Sequence, residues 1–241
     1  MKLVIIAAGM GSRLSTISNG LPKILVHVFK KPLIDQLLSN CIAARINDVV
    51  IVTGYNNHII EEHISKIKTN VNIEIVYNPD WNLANGVSVL VAKNLIPENQ
   101  DFLISMSDHY YNSGLLIKMK NHTNIDTIAS VGADYNIEEI HDIDDGMKID
   151  IDKETNLINA MSKELPIYNA IDCGIFKCRY EFFDYLEKAK ENNECSLSDA
   201  CNILINNKLM GSVDIQNNPW IDIDTPEALD FINKNPEKFY L

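Results

Sequence analysis

Ala7-Ala8-Gly9-Met10-Gly11-Ser12-Arg13-Leu14, running on to Pro22-Lys23, is the stretch on which the reading of the fold turns. It follows Lys2-Leu3-Val4-Ile5-Ile6, a short apolar run that predicts a buried strand. Two alanines and two glycines at a strand end let backbone approach something bulky, and a row of free N–H groups there suits phosphate. Arg13 and Lys23 add two cations within reach. Other glycine motifs fail. Gly-x-x-x-x-Gly-Lys-Ser/Thr is absent, and the third glycine of Gly-x-Gly-x-x-Gly is replaced by Leu14. Ser15-Thr16-Ile17-Ser18-Asn19-Gly20 is loop chemistry, so the stretch reads as a long open loop closed by Pro22-Lys23.

The chain has 241 residues, enough for one large domain with a full core and no staples. Its formal net charge of -12 argues against a nucleic-acid surface, which needs a basic face. No apolar run reaches membrane length and no leader pattern opens the chain, so a cytoplasmic protein without membrane insertion is expected. Five cysteines without metal-ligand spacing read as reduced structural thiols.

Outward from the first loop, apolar runs at 48–53, 73–77 and 102–106 alternate with helical patterns at 32–44, 57–68 and 87–95. This rhythm predicts an α/β fold with a mainly parallel sheet, right-handed crossovers and ligands at the carboxyl ends of its strands. The second half differs: strands at 128–132, 172–176 and 209–215, a hairpin within 146–163 turning at Lys153-Glu154-Thr155-Asn156, and helices at 180–190, 197–205 and 225–233. The expected organisation is a single domain over 1–241. Residues 1–133 would form one half around the first loop, 134–218 a small β-rich region, and 219–241 a closing segment. Hexapeptide repeats are absent, which argues against an appended β-helix.

Asp108 ends the strand in Met106-Ser107-Asp108-His109, pointing a carboxylate into the ligand crevice. In Trp220-Ile221-Asp222-Ile223-Asp224-Thr225, alternation puts both aspartates on one face. Asp108 and Asp224 suit magnesium, which prefers carboxylate oxygens together with substrate phosphate. The competing reading of Asp224 is a helix N-cap before Pro226, and that of Asp222 is a solvated surface group. His109 reads as a hydrogen-bonded structural histidine, and Trp81 and Trp220 as packing residues.

The first loop with Pro22-Lys23 resembles the sugar-nucleotide and CDP-alcohol nucleotidyltransferases. The likeness extends over nearly the whole chain and is nearest to the CTP:inositol-1-phosphate cytidylyltransferases. Asn85-Gly86-Val87-Ser88 is similar to their nucleobase-binding segment, Met106-Ser107-Asp108-His109 to their first metal motif, and Trp220-Ile221-Asp222-Ile223-Asp224-Thr225 to their second. Asp172-Cys173-Gly174-Ile175-Phe176 resembles their Asp-Thr-Gly-aromatic strand with Cys173 for threonine, and Cys195-Ser196-Leu197-Ser198 their Pro-Leu-Ser-Glu segment. Some members continue into a membrane-embedded alcohol phosphatidyltransferase domain, whereas this sequence stops at Leu241.

The resemblance implies a Rossmann-like nucleotidyltransferase fold and transfer of CMP from CTP to a phosphorylated polyol, inositol 1-phosphate first, with pyrophosphate released. Ala7, Ala8, Gly9, Gly11, Ser12, Asn85, Gly86, Ser88 and Asp108 would meet the nucleotide. Arg13, Lys23 and Lys163 would be the catalytic cations, Lys148 and Asp172 would bind the acceptor, and Asp108 and Asp224 would hold Mg²⁺. The partners expected are CTP and a small phosphorylated alcohol, with a homodimer left open. Phosphocholine, a phosphonate and glycerol phosphate remain alternative acceptors, with Tyr110, Tyr111 and Tyr168 as a cage for a cationic one. A non-catalytic nucleotide-binding module is the alternative of another class. A dinucleotide-dependent dehydrogenase is disfavoured by Leu14.

Overall fold

A computed structural model describes residues 1–11, 20–192 and 195–239. Ser12 and Arg13 of the first loop lie outside these residues. The elements in chain order are β1 (Lys2–Ala7), β2 (His27–Val28), β3 (Lys31–Pro32), α1 (Leu33–Ala43), β4 (Asp48–Thr53), α2 (Asn57–Lys66) and β5 (Asn72–Tyr77). Next come α3 (Asn85–Val91), β6 (Phe102–Met106), β7 (His109–Tyr111), α4 (Ser113–Asn121), β8 (Ala129–Asp134), β9 (Lys148–Ile151) and β10 (Ile158–Ser162). The chain closes with β11 (Ala170–Cys178), α5 (Phe182–Glu191), α6 (Leu197–Asn206), β12 (Met210–Asp214), β13 (Trp220–Asp222) and α7 (Pro226–Lys234).

Across the main sheet the strands run β5-β4-β1-β6-β11-β8-β12, and the hairpin β9–β10 joins β11 near its start. β1 pairs in parallel with β4 and β6, β4 with β5, and β8 with β12; β11 pairs antiparallel with β6 and β8. The mainly parallel α/β architecture expected from the sequence is therefore present.

The two-residue period of β1 divides the core. Leu3 and Ile5 belong to the layer under α1, α2, α4 and α7, and Val4 and Ile6 to the layer under α3, α5 and α6. These four side chains are all buried, and burying each contributes about 1.5–3 kcal/mol. A strand covered on both faces must be apolar throughout, which is why the run showed no alternation in sequence.

Local chemistry sets the element ends. Pro32 precedes α1 in extended conformation (φ -51°, ψ 140°), outside the first turn where the sequence placed it. Ser196 and Asp199 form a reciprocal capping box at α6. The β9–β10 turn is held by Asp152, whose Oδ1 accepts from the N–H groups of Glu154 (2.8 Å) and Thr155 (3.1 Å). Tyr110 and Tyr111 of β7 are core residues. The Tyr111 hydroxyl lies 2.8 Å from Ser105 Oγ, and Tyr110 packs edge-on against Phe29 and Phe239. They form no cage for a cation. Cys41, Cys173, Cys178, Cys195 and Cys201 are free.

The end of β4 lies tight against the end of β1. Tyr55 N–H donates to Ala8 O (3.0 Å), and a Cβ on Gly54 would sit 2.6 Å from that same oxygen. Gly54→Ala should therefore cost about 1–3 kcal/mol through overpacking. Urea denaturation checks this: a lowered midpoint is expected, and an unchanged one would contradict the close approach.

Candidate active site

The site forms where two short strands meet beside the carboxyl end of β6. β7 pairs antiparallel with β13, setting His109 opposite Asp222, Tyr110 opposite Ile221 and Tyr111 opposite Trp220. One residue on, Ile223 N–H donates to Asp108 O at 2.9 Å. Ile221 and Ile223 are buried in the core, so Asp222 and Asp224 face the other way, into a cavity of about 980 Å³. Asp108, His109, Lys163 and Asp172 line the same cavity.

Thr225 is the N-cap of α7, its side chain accepting from Ala228 N–H at 3.2 Å, with Pro226 in the first turn. The cap role open to Asp224 in the sequence is thus filled by its neighbour. Asp224 instead pairs with Lys23, whose Nζ also donates to Asp108 Oδ2 at 2.9 Å. The three side chains are only 16–18% exposed. Lys23 reaches them past Gly11, where φ is +64° and a Cβ would lie 2.7 Å from Lys23 Cγ. Gly11 therefore serves both the turn and the lysine's path.

His109 completes the cluster. Its Nδ1 donates to Asp108 Oδ1 (3.0 Å) and lies 3.8 Å from Asp222 Oδ1, and its ring stacks on Trp220 at 5.7 Å. Trp220 is fixed in turn by donation from Nε1 to Asp134 Oδ2 (2.7 Å). Burial opposes a charge on His109, but Asp222, Asp108 and Asp172 outweigh it and push the imidazole up to about 9. Burial also works against ionised Asp108, yet His109 and Lys23 hold its carboxyl well below the usual range. Burial pushes Asp172 up to about 6 despite the Gly174 N–H that donates to its Oδ1 at 2.6 Å. Burial likewise raises Asp222, opposed by His109.

The donor set fits a hard divalent cation. Asp108, His109 and Asp222 offer ligand atoms within 4.8 Å of one another, as do Asp145, Asp222 and Asp224. Asp222 Oδ1 is buried and accepts no hydrogen bond among the described residues. A single ammonium touching Asp108 and Asp224 means that these two carboxylates are close enough to share one cation.

The other expected residues divide. Asn85 lines the cavity, but its Oδ1 accepts from Leu197 N–H (2.8 Å) at the start of α6. Gly86 lets α3 approach that same segment, since a Cβ there would lie 2.5 Å from Cys195 O. Ser88 Oγ is buried and accepts from Asn78 Nδ2 (3.0 Å). Ala7 and Ala8 are buried at the end of β1, while Gly9 is exposed with open space around it. Lys163 pairs with Asp145 Oδ1 at 2.7 Å. Lys148 is not in the cavity wall; its Nζ donates to Lys163 O (2.7 Å) and steadies the hairpin. Sequence reasoning passed over Asp145 and Asp134. The first sits in the turn Asp142–Gly146 with no periodic pattern around it, and the second ends a strand like any other.

Comparison with known proteins adds a family. A model of nucleotidyl transferases matches residues 2–238. The chain belongs to that family. A bifunctional sugar-1-phosphate nucleotidylyltransferase/acetyltransferase of Sulfurisphaera tokodaii is 28% identical over 97% of this chain and 55% of its own length. A bifunctional IPC transferase and DIPP synthase of Rubrobacter xylanophilus is 26% identical over 93% of this chain and 49% of its own length. The chain thus spans about half the length of these curated relatives. The solved inositol-1-phosphate CTP transferase from T. maritima superposes with a TM-score of 0.83, covering 100% of this chain and 98% of that one at 18% identity. The nucleotidyltransferase fold expected from the first loop is the one observed. Among the described residues no helix is long and apolar enough to cross a membrane.

β11 shifts register against β8 between Asp172 and Phe176, and Gly174 (φ +77°) sits inside that bulge. A Cβ there would lie 2.5 Å from His109 Cδ2. Gly174→Ala should displace the imidazole and cost about 1–3 kcal/mol in urea unfolding, combining left-handed strain with overpacking. Wild-type stability would contradict the packing of His109 against this glycine.

Proposed function

We propose that this chain transfers CMP from CTP to a phosphorylated polyol, inositol 1-phosphate first, releasing pyrophosphate and forming a CDP-alcohol. The observation that carries this reading is the meeting of Asp108, Asp224 and Lys23 beside a cavity that also contains Lys163 and Asp172. The relatives named for IPC and inositol-1-phosphate chemistry support the choice of base and acceptor.

An oxygen of the acceptor phosphate attacks the α-phosphorus of CTP, the bond to the bridging oxygen breaks, and pyrophosphate leaves with the electron pair. A phosphate monoester is already anionic at neutral pH, so no general base is needed. The barrier is the repulsion of two anions, and the work of this chain is to position them and supply cations. Gly9 and Gly11 let the first loop approach the triphosphate, with Ala7, Ala8 and Ser12 in the same cradle. Arg13 and Lys23 balance its charge. Asn85 and Gly86, with Ser88 behind them, form the side toward base and ribose. Lys163 meets the acceptor phosphate, Lys148 supports Lys163 through its carbonyl, and Asp172 accepts from acceptor hydroxyls. Asp108 and Asp224 would hold Mg²⁺, which would supply charge neutralisation at the transferring phosphate. The nucleotide-binding half is residues 1–133 and the acceptor side 134–218 of a single domain.

A second reading, a cationic acceptor such as phosphocholine, draws on the cavity wall, where Glu138, Glu139, Asp142 and Asp145 accompany Trp220 and Phe231. Pyrophosphate release from four nucleoside triphosphates against inositol 1-phosphate, a sugar 1-phosphate, phosphocholine, glycerol phosphate and aminoethylphosphonate tests both. CTP with inositol 1-phosphate should be the best pair; preference for a cationic acceptor would favour the second reading, and no release from any pair would overturn both. Asp224→Ala should abolish turnover in the best pair while CTP binding persists. Lys23→Ala should lower the rate by about 10²-fold or more. Wild-type-like rates in either variant would remove that residue from the site.

A further inference from the structure

Lys23 has been given two places: on the nucleotide phosphates in the reaction, and between Asp108 and Asp224 in the folded chain. One ammonium cannot occupy both. The carboxylates it touches are the ones that fit a divalent ion. Two like charges brought onto the same pair of carboxylates repel strongly in so enclosed a site. We infer that the Lys23 ammonium and the divalent cation occupy the seat between Asp108 and Asp224 in alternation, so that cation binding releases Lys23 toward the triphosphate. This inference rests on the metal role proposed for the two aspartates and adds a coupling that a fixed lysine would lack.

Three observations carry it. The ammonium is anchored only at its tip to Asp108 and Asp224, while its stem passes Gly11 of the phosphate loop. A swing of the outer side chain therefore moves the charge from the carboxylates toward that loop with the backbone in place. His109 donates to Asp108 from another side, through Oδ1, whereas Lys23 uses Oδ2. Loss of Lys23 thus leaves Asp108 with a remaining partner. Finally, the seat itself is rich in negative charge. Without Lys23, the carboxylates of Asp108, Asp222 and Asp224 line one cavity with less positive charge among them, an arrangement that draws in another cation.

The physical consequence is linkage. Nucleotide phosphates that attract Lys23 empty the seat for the metal, and metal in the seat frees Lys23 for the phosphates. By reciprocity each must tighten binding of the other by the same factor. With a neutral side chain at 23 the competition disappears, so metal alone should bind better even though catalysis is worse. A lysine serving only as a phosphate contact would have no effect on metal binding in the absence of nucleotide.

Titration of Mn²⁺ into the nucleotide-free protein, followed by calorimetry and by the loss of free-ion paramagnetic resonance signal, tests this. Lys23→Met should bind Mn²⁺ at least about tenfold tighter than wild type. Lys23→Gln should do the same, which guards against a packing effect of methionine. Thermal melting should give a larger Mn²⁺-induced rise in midpoint for both variants than for wild type. Asp224→Asn should abolish the binding being measured. Saturating CTP should then tighten Mn²⁺ binding more in wild type than in Lys23→Met. Equal or weaker Mn²⁺ binding by the folded Lys23 variants, or no binding by wild type and Lys23 variants alike, would overturn the inference. Failure of the wider functional reading is separate: there, Mn²⁺ binding would respond to Lys23 as stated while no nucleoside triphosphate gave pyrophosphate.

Discussion

Everything in the site depends on a three-rung antiparallel ladder between His109–Tyr111 and Trp220–Asp222. The two segments are far apart in sequence, and neither is long enough to be stable as an isolated strand. The ladder brings the segment after β6 onto the segment before α7, and the bond from Ile223 to Asp108 extends it to the two aspartates. It is tied into the core by Ile221, Ile223, Tyr110 and Tyr111, all of them buried. The other face presents His109, Asp222 and Asp224 to the cavity, with Trp220 stacked on the imidazole. A shift of one residue would exchange the two faces and bury the carboxylates, so the packing of the isoleucines fixes the position of the acids.

Around that ladder the protein concentrates negative charge and balances it with few cations. Among the described residues, Lys23 and His109 are counter-charges at Asp108, and Lys163 is one at Asp145. Each cation comes from a separate element: Lys23 from the turn after the first loop, His109 from β7, and Lys163 from the end of the β9–β10 hairpin. Such a cluster is costly unless its members are paired, which accounts for the shared contacts of Asp108 with Lys23 and His109. It is also well suited to hold together two phosphorylated reactants, because the same carboxylates organise cations that the phosphates require.

Much of this was legible in the sequence because the relevant signals are local. The apolar run Leu3–Ile6, the glycines at 9 and 11, and the alternation at 221–224 each depend on nearest neighbours and a simple period. The assignment of β7 was not legible. His109-Tyr110-Tyr111 has no turn signals or length to mark a strand, and it becomes one only because Trp220–Asp222 lies beside it. For the same reason the tyrosines read as a surface cage, although pairing turns them inward. The sequence offered Asp224 as an N-cap of α7, but Thr225 fills that place and Asp224 pairs with Lys23. Asp145 and Asp134 carried no motif; their importance arises from tertiary contacts with Lys163 and Trp220.

The shared seat of Asp108 and Asp224 is tested by a crystal structure with CTP and Mn²⁺, read by the anomalous scattering of manganese. One manganese peak is expected within bonding distance of both Asp108 and Asp224, with the triphosphate over Gly9 and Gly11. A triphosphate bound elsewhere, or a manganese peak away from either aspartate, would contradict it.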